Sequence, residues 1–195
     1  MRPVIYLDFD GVVATTRAVI GQGSPRQEDD PVAFGILRRI CTETEGQIVV
    51  TSTWRLARSE DCLALFNKYG LTAFLHEAPF TGNLNSRSAE IEAHRAAHDV
   101  ERFIILDDER NDFTPAQLQW LVHTDMQFGL GVYDYDRAVR LLGVKAVGRP
   151  IEGGYQSPRL TIANHARSAL DAIAAGNLSE ASRLLDLIAD HPLAQ

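Results

Sequence analysis

No stretch of these 195 residues approaches the roughly 20 consecutive apolar residues that a membrane-spanning helix needs, so no segment reads as a helical span. Cysteine is scarce: Cys41 and Cys62 are the only two. They fall in helix-like stretches without metal-ligand spacing, which excludes a disulfide framework and reads as reduced core thiols of a cytoplasmic protein. Basic residues are in the minority, 19 Lys and Arg against 26 Asp and Glu, for a formal net charge of -7. That excludes a broadly basic nucleic-acid surface but leaves room for a local basic cleft. The opening Met1-Arg2-Pro3-Val4-Ile5-Tyr6-Leu7 is too short and too soon acidic for a secretory signal. Internal repeats and low-complexity tracts are absent. What remains, 45% hydrophobic and 23% charged, suits one globular domain with a substantial core and a small appendage.

Short apolar runs alternate with amphipathic stretches, the pattern of an α/β fold. It predicts a Rossmann-like three-layer sandwich around a mostly parallel sheet. Val4 to Leu7, Ile48 to Val50 and Phe103 to Leu106 read as buried strands, and Leu121 to His123 as a further short one. Helical spacing of apolar residues appears over Val32 to Cys41, then through Leu63, Leu65, Phe66 and Tyr69 up to Gly70, and over Ser88 to His98. Thr114-Pro115-Ala116-Gln117 is a helix start with a capping box, and Asp134 is placed to cap a helix through Leu142. Residues 1–144 form the expected core. Residues 145–156, rich in Gly, Pro and polar side chains, read as a linker, and residues 157–195 as a helical hairpin with an apolar face.

In open α/β sheets ligands bind beyond the carboxyl ends of the strands. Each distinctive polar cluster falls there: Asp8 and Asp10 after the first strand, Thr51 and Ser52 after the second, Asp107 and Asp108 after the third. Converging acids repel one another unless a cation sits among them. With oxygen donors alone and no His or Cys companion, a hard ion such as Mg²⁺ fits better than zinc. Carboxylates, a hydroxyl and a nearby cation together make a phosphoryl-transfer site.

Asp8-Phe9-Asp10-Gly11-Val12-Val13 resembles the first motif of the haloacid dehalogenase (HAD) superfamily of aspartyl-phosphate phosphatases. Thr51 or Ser52 is similar to its hydroxyl motif, and Asp107-Asp108 to its acidic fourth motif. Arg87, just before a helix, stands where the family places its basic residue, with Arg55 in reserve. Thr51-Ser52-Thr53-Trp54-Arg55, His123-Thr124-Asp125 and Gly129-Leu130 narrow the resemblance to the compact HAD subgroup of RNA-repair polyproteins, phages and uncharacterised bacterial proteins. It spans about residues 3 to 143. The resemblance implies that Asp8 is the nucleophile and Asp10 the general acid–base. It implies a Mg²⁺ held by Asp8, the Asp10 carbonyl and Asp108, with Asp107 a ligand or a holder of one. Thr51 and Arg87 would bind phosphoryl oxygens.

Other residues carry blander expectations. Trp54 reads as core or rim packing, His76, His94, His98 and His123 as structural, and Asp112 as a support for the metal loop or a turn residue. The gaps Val13 to Gln47 and Arg55 to Ser86 leave no room for a full cap domain, and Ala14 to Pro31 reads as an enlarged flap. An open site favours a large phosphorylated substrate, with nucleotides and polynucleotide ends leading, and the hairpin offers a surface for a homodimer. The alternative of another class is a non-catalytic Mg²⁺ or phosphate-binding module, or an assembly protein using the hairpin.

Overall fold

A computed structural model describes residues 2–23 and 28–144, together with Ala169, Ile173, Ser179, Ser182, Arg183 and Leu185 as helical positions farther on. The chain divides into two compact units, Met1–Val147 and Gly148–Gln195. The expected linker and helical hairpin fall almost wholly outside the described residues. In chain order the first unit runs β1 (Val4–Leu7), α1 (Thr16–Gln22), α2 (Pro31–Thr44), β2 (Gln47–Val50), α3 (Trp54–Ala57) and α4 (Ser59–Lys68). A 3₁₀ turn (Thr72–Phe74) then leads into β3 (Leu75–Phe80), α5 (Arg87–Ala97), β4 (Phe103–Asp107), α6 (Pro115–Leu118), β5 (Leu121–His123) and α7 (Val132–Leu141).

The five strands form one sheet in the order β3-β2-β1-β4-β5, every pair parallel. Side chains alternate across a strand, so continuous apolar runs supply two cores at once. Ile5, Leu7, Ile48, Val50, Ile104 and Leu106 face one side, packed with Phe34 and Leu37 of α2, Phe66 of α4 and Ala138 of α7. Tyr6, Val49, Phe103 and Ile105 face the other, with Ile91 of α5 and Phe113. These are the three layers the sequence predicts. No described helix is long and apolar enough to cross a membrane.

Several local expectations change. α1 occupies part of the stretch expected to be a flap, with Thr15 as its N-cap accepting from the Ala18 N–H. β3 was not expected: Leu-His-Glu-Ala-Pro-Phe shows no clear alternation and contains a proline, which an edge strand tolerates because one side of its backbone makes no ladder bonds. Asp134 is not the N-cap of α7. Gly131 holds that position, and Asp134, inside the first turn, accepts the Gly131 N–H at 2.8 Å. The Thr114–Gln117 capping box forms as read, on a helix of a single turn.

Strand order reverses direction at β1, whose neighbours are β2 on one side and β4 on the other. Register aligns Leu7 with Val50 and with Leu106. One step further, Asp8, Thr51 and Asp107 therefore stand in a row across the sheet's carboxyl edge. The ladder continues through them: Asp8 N–H donates to Leu106 O at 3.0 Å and Thr51 N–H to Leu7 O at 2.9 Å. This is the crevice where doubly wound sheets bind ligands.

Candidate active site

The loop after β1 is folded tightly on itself. The N–H groups of Val12, Val13 and Ala14 all donate to Phe9 O, at 3.1, 3.0 and 2.8 Å, and Gly11 N–H donates to Ala14 O at 2.8 Å. Gly11 adopts φ +65°, and a Cβ there would collide with the Asp108 carboxylate. Glycine is thus required on two counts, backbone conformation and the close approach of a site carboxylate. A second segment clamps the loop from outside: Thr124 Oγ1 donates to Gly11 O at 2.8 Å, and Leu130 N–H to Val12 O at 2.9 Å. Gly129, at φ +59°, lets that segment pass against Val12 O. The residues His123-Thr124-Asp125 and Gly129-Leu130, noted in the sequence, thereby act as scaffold, and His123 Nε2 lies 2.8 Å from Asp108 O.

Arg87 opens α5 behind the N-cap Ser86, whose side chain accepts the Ala89 N–H. Its Nη1 donates to Asp8 Oδ2 at 2.9 Å and also to Asp107 Oδ2, while its Nε lies 3.8 Å from Asp112. Asp107 is completely buried, and its other oxygen accepts the Glu109 N–H at 2.8 Å. One ligand atom from each of Asp8, Asp107 and Asp108 lies within 4.8 Å of the others. Burial and then the Asp8 charge push the Asp107 carboxyl up, against the pull of Arg87. The same two causes raise Asp108. Burial alone would lower the Arg87 guanidinium, but the Asp8 and Asp107 charges outweigh it and drive it above its ordinary value. Three carboxylates beside one guanidinium, which pairs with Asp8 and Asp107, leave an excess of negative charge, and their donors are all oxygen. The cluster fits a hard divalent cation, with Asp8 and Asp108 as the carboxylates not otherwise enclosed by donors on both oxygens.

Thr51 and Ser52 are both buried but differ in what their hydroxyls do. Ser52 Oγ accepts the Trp54 N–H at 3.3 Å. Thr51 Oγ1 is the one buried side-chain polar atom among the described residues without a hydrogen-bond partner. An orphaned buried hydroxyl is costly, and this one, beside Asp8, is open to a polar partner from outside the chain.

Arg55 is turned to another task. Its Nε donates to Thr81 O, its Nη1 to Thr51 O and Ser52 O, and its Nη2 to Gly82 O. Its Nη2 also pairs with Glu90 at 2.7 Å. All five guanidinium protons are thereby matched, and none is left for a phosphoryl oxygen. The sequence gives no sign of this, because the carbonyls that Arg55 binds lie on two separate loops. Structure brings Asp8, Asp10, Thr51, Arg87, Asp107 and Asp108 to one edge of the sheet; Ser52 and Arg55 hold the β2 loop in shape.

Trp54 was expected to pack, and it does more. Its Nε1 donates to Asp10 Oδ2 at 2.9 Å, with the Phe9 ring centroid 5.1 Å away and Arg58 Cζ 3.6 Å above the indole. Desolvation raises the Asp10 carboxyl, the Trp54 hydrogen bond opposes it, and the charges of Asp8 and Glu28 add to the rise. Among the histidines, His94 sits between the Tyr6 hydroxyl and Ala78 O, both at 3.0 Å, in a structural role.

Comparison with known proteins follows the same outline. A family model described as the HAD domain in Swiss Army Knife RNA repair proteins matches residues 4–134. No curated protein and no solved structure matches the chain.

Proposed function

Since the chain belongs to the family of HAD domains in Swiss Army Knife RNA repair proteins, we propose that it is a Mg²⁺-dependent phosphomonoester hydrolase working through an aspartyl-phosphate on Asp8. A carboxylate oxygen of Asp8 attacks phosphorus, and the bond from phosphorus to the leaving oxygen breaks. Asp10 gives its proton to that oxygen, releasing an alcohol. A water then attacks the phosphoryl group on Asp8, Asp10 takes the water's proton, and the bond to Asp8 breaks to release inorganic phosphate. Thr51 Oγ1 and Arg87 bind phosphoryl oxygens. Asp8, Asp108 and the Asp10 carbonyl would hold Mg²⁺, which when bound offsets the carboxylate charge and polarises the phosphoryl group. Asp107 holds Arg87 in place.

The observation that carries this reading is the row Thr51–Asp8–Asp107 at the sheet's reversal point, with an unpartnered hydroxyl at one end and Arg87 bridging the two acids. Among the described residues, α1, α2, α3, α4 and β3 fill the segments where a cap domain would be inserted. A site with no inserted cap among the described residues suits a bulky substrate, and the family's RNA-repair context points to a phosphorylated polynucleotide end or a nucleotide, acted on in the cytoplasm.

The test is phosphate release from end-phosphorylated oligoribonucleotides with Mg²⁺. Chelation should abolish it, and restored Mg²⁺ should recover it. Asp8→Ala should remove turnover while leaving the fold intact, and Asp10→Asn should slow it by about 10²–10⁴-fold. Undiminished release by Asp8→Ala would overturn the mechanism.

A further inference from the structure

The sequence pairs Asp10 with no particular neighbour, yet in the structure its carboxyl has a dedicated partner. Trp54 starts α3, two residues beyond Ser52, and its indole Nε1 reaches Asp10 Oδ2 at 2.9 Å. An indole N–H can only donate. The oxygen it holds accepts, and because the carbonyl oxygen is the better acceptor of a carboxylic acid, this favours Oδ1 as the site of the exchangeable proton. The indole itself is well restrained. The Phe9 ring stands at 5.1 Å, the Arg58 guanidinium at 3.6 Å over the ring, and Ser52 Oγ accepts the Trp54 backbone N–H at 3.3 Å. Phe9 lies between Asp8 and Asp10 in the chain and also packs on Phe34 and Phe66. A rigid aromatic cluster thus fixes the one donor aimed at an otherwise exposed carboxyl.

We propose that Trp54 is the positioning residue of the general acid: its indole N–H clamps Asp10 Oδ2, turning Oδ1 and its proton toward the leaving oxygen. This rests on the phosphatase reading above. The chemical step affected is the transfer of the Oδ1 proton to the leaving oxygen as its bond to phosphorus breaks. The attack by Asp8 itself is unchanged. An acid freed from its clamp samples other rotamers, and loss of alignment of this order costs up to about 10²-fold in rate.

The dependence on leaving group distinguishes positioning from a merely structural role. Aryl phosphates with poor leaving groups need the proton, and those with good leaving groups do not. Trp54→Phe keeps an aromatic ring between Phe9 and Arg58 and removes only the donor end. It should lower kcat/KM, which reports the first irreversible step, by about 10- to 100-fold on phenyl phosphate and by less than about 3-fold on 2,4-dinitrophenyl phosphate. In an Asp10→Asn background the same substitution should have no further effect. Should Trp54→Phe fail to fold, the benzothiophene analogue of tryptophan keeps the bicyclic shape, replaces N–H by sulfur, and permits the same comparison. Equal losses on both substrates, or a further loss on top of Asp10→Asn, would overturn the proposal while leaving the phosphatase reading intact. Wild-type protein inert toward every phosphomonoester would instead remove the reading on which the proposal stands.

Discussion

Two arginines near the β2 and β4 ends look interchangeable in the sequence and have opposite surroundings in the structure. Arg87 faces Asp8 and Asp107 at the crevice, with its side chain 14% exposed, whereas Arg55 is enclosed by four carbonyls and Glu90. Removing a buried partner leaves the other group desolvated and unpaired, which typically costs about 3–5 kcal/mol. Arg55→Met should therefore cost about that much by urea denaturation, because Glu90 and the carbonyls lose their donors. Arg87→Met should also destabilise, because buried Asp107 loses its partner, but unlike Arg55→Met it should lower kcat/KM by about 10²-fold or more, as expected for loss of a charged phosphoryl contact. A folded Arg55→Met protein of native stability would contradict the structural role. The acids and Thr51 were legible in the sequence because each follows an apolar run that can only be a buried strand. The roles of Arg55 and Trp54 were not, since both depend on loops that meet only after the sheet has formed.

Elements are legible to the extent that a local pattern determines them. β1, β2 and β4 are buried on both faces and so read as uninterrupted β-branched and aromatic runs, while β3 is an edge strand that is half exposed and interrupted by Pro79. The join of β3 to α5 nevertheless has its own chemistry. His76 on β3 stacks edge-on against His94 and His98 at 5.1 and 5.0 Å, and His94 lies 4.5 Å from His98. Burial first, then the charge of neighbouring histidines, lowers both His76 and His94. A depressed histidine favours the neutral form in the folded state. Below about pH 6.5, the ordinary histidine value, the unfolded chain takes up protons that the folded chain refuses, so stability falls as pH falls. Above that value the pair contributes no slope. The urea midpoint should thus drop between about pH 7 and about pH 5, and the drop should shrink in a His76→Phe/His94→Gln double variant. An unchanged slope in that variant would assign the acid sensitivity elsewhere.

At the scale of the whole molecule the charge balance constrains how a polynucleotide could be engaged. The chain carries a net charge of -7, and the guanidinium at the crevice is already shared between two carboxylates. Binding along a strand requires several phosphates to be neutralised, and each gives a logarithmic salt slope of about 0.7 for single strands. On the reading that the substrate is a phosphorylated strand end, Arg87 is the described crevice cation bonded to the site carboxylates and would meet the terminal phosphate, while the net negative charge disfavours binding along the strand. On that reading, recognition would be confined to the end of the substrate. For end-phosphorylated oligoribonucleotides, the slope of log KM against log salt should stay below about 2, and KM should be nearly the same for a short and a long strand. The acidic surface also predicts slower encounter at low salt than a basic nucleic-acid enzyme would show, because like charges repel the approaching strand. Steady-state kinetics over a salt series, with strands of two lengths and the same terminal phosphate, measures both quantities. A steep slope that grows with strand length would reveal a basic track along the surface, and the open crevice would then be the end of a groove.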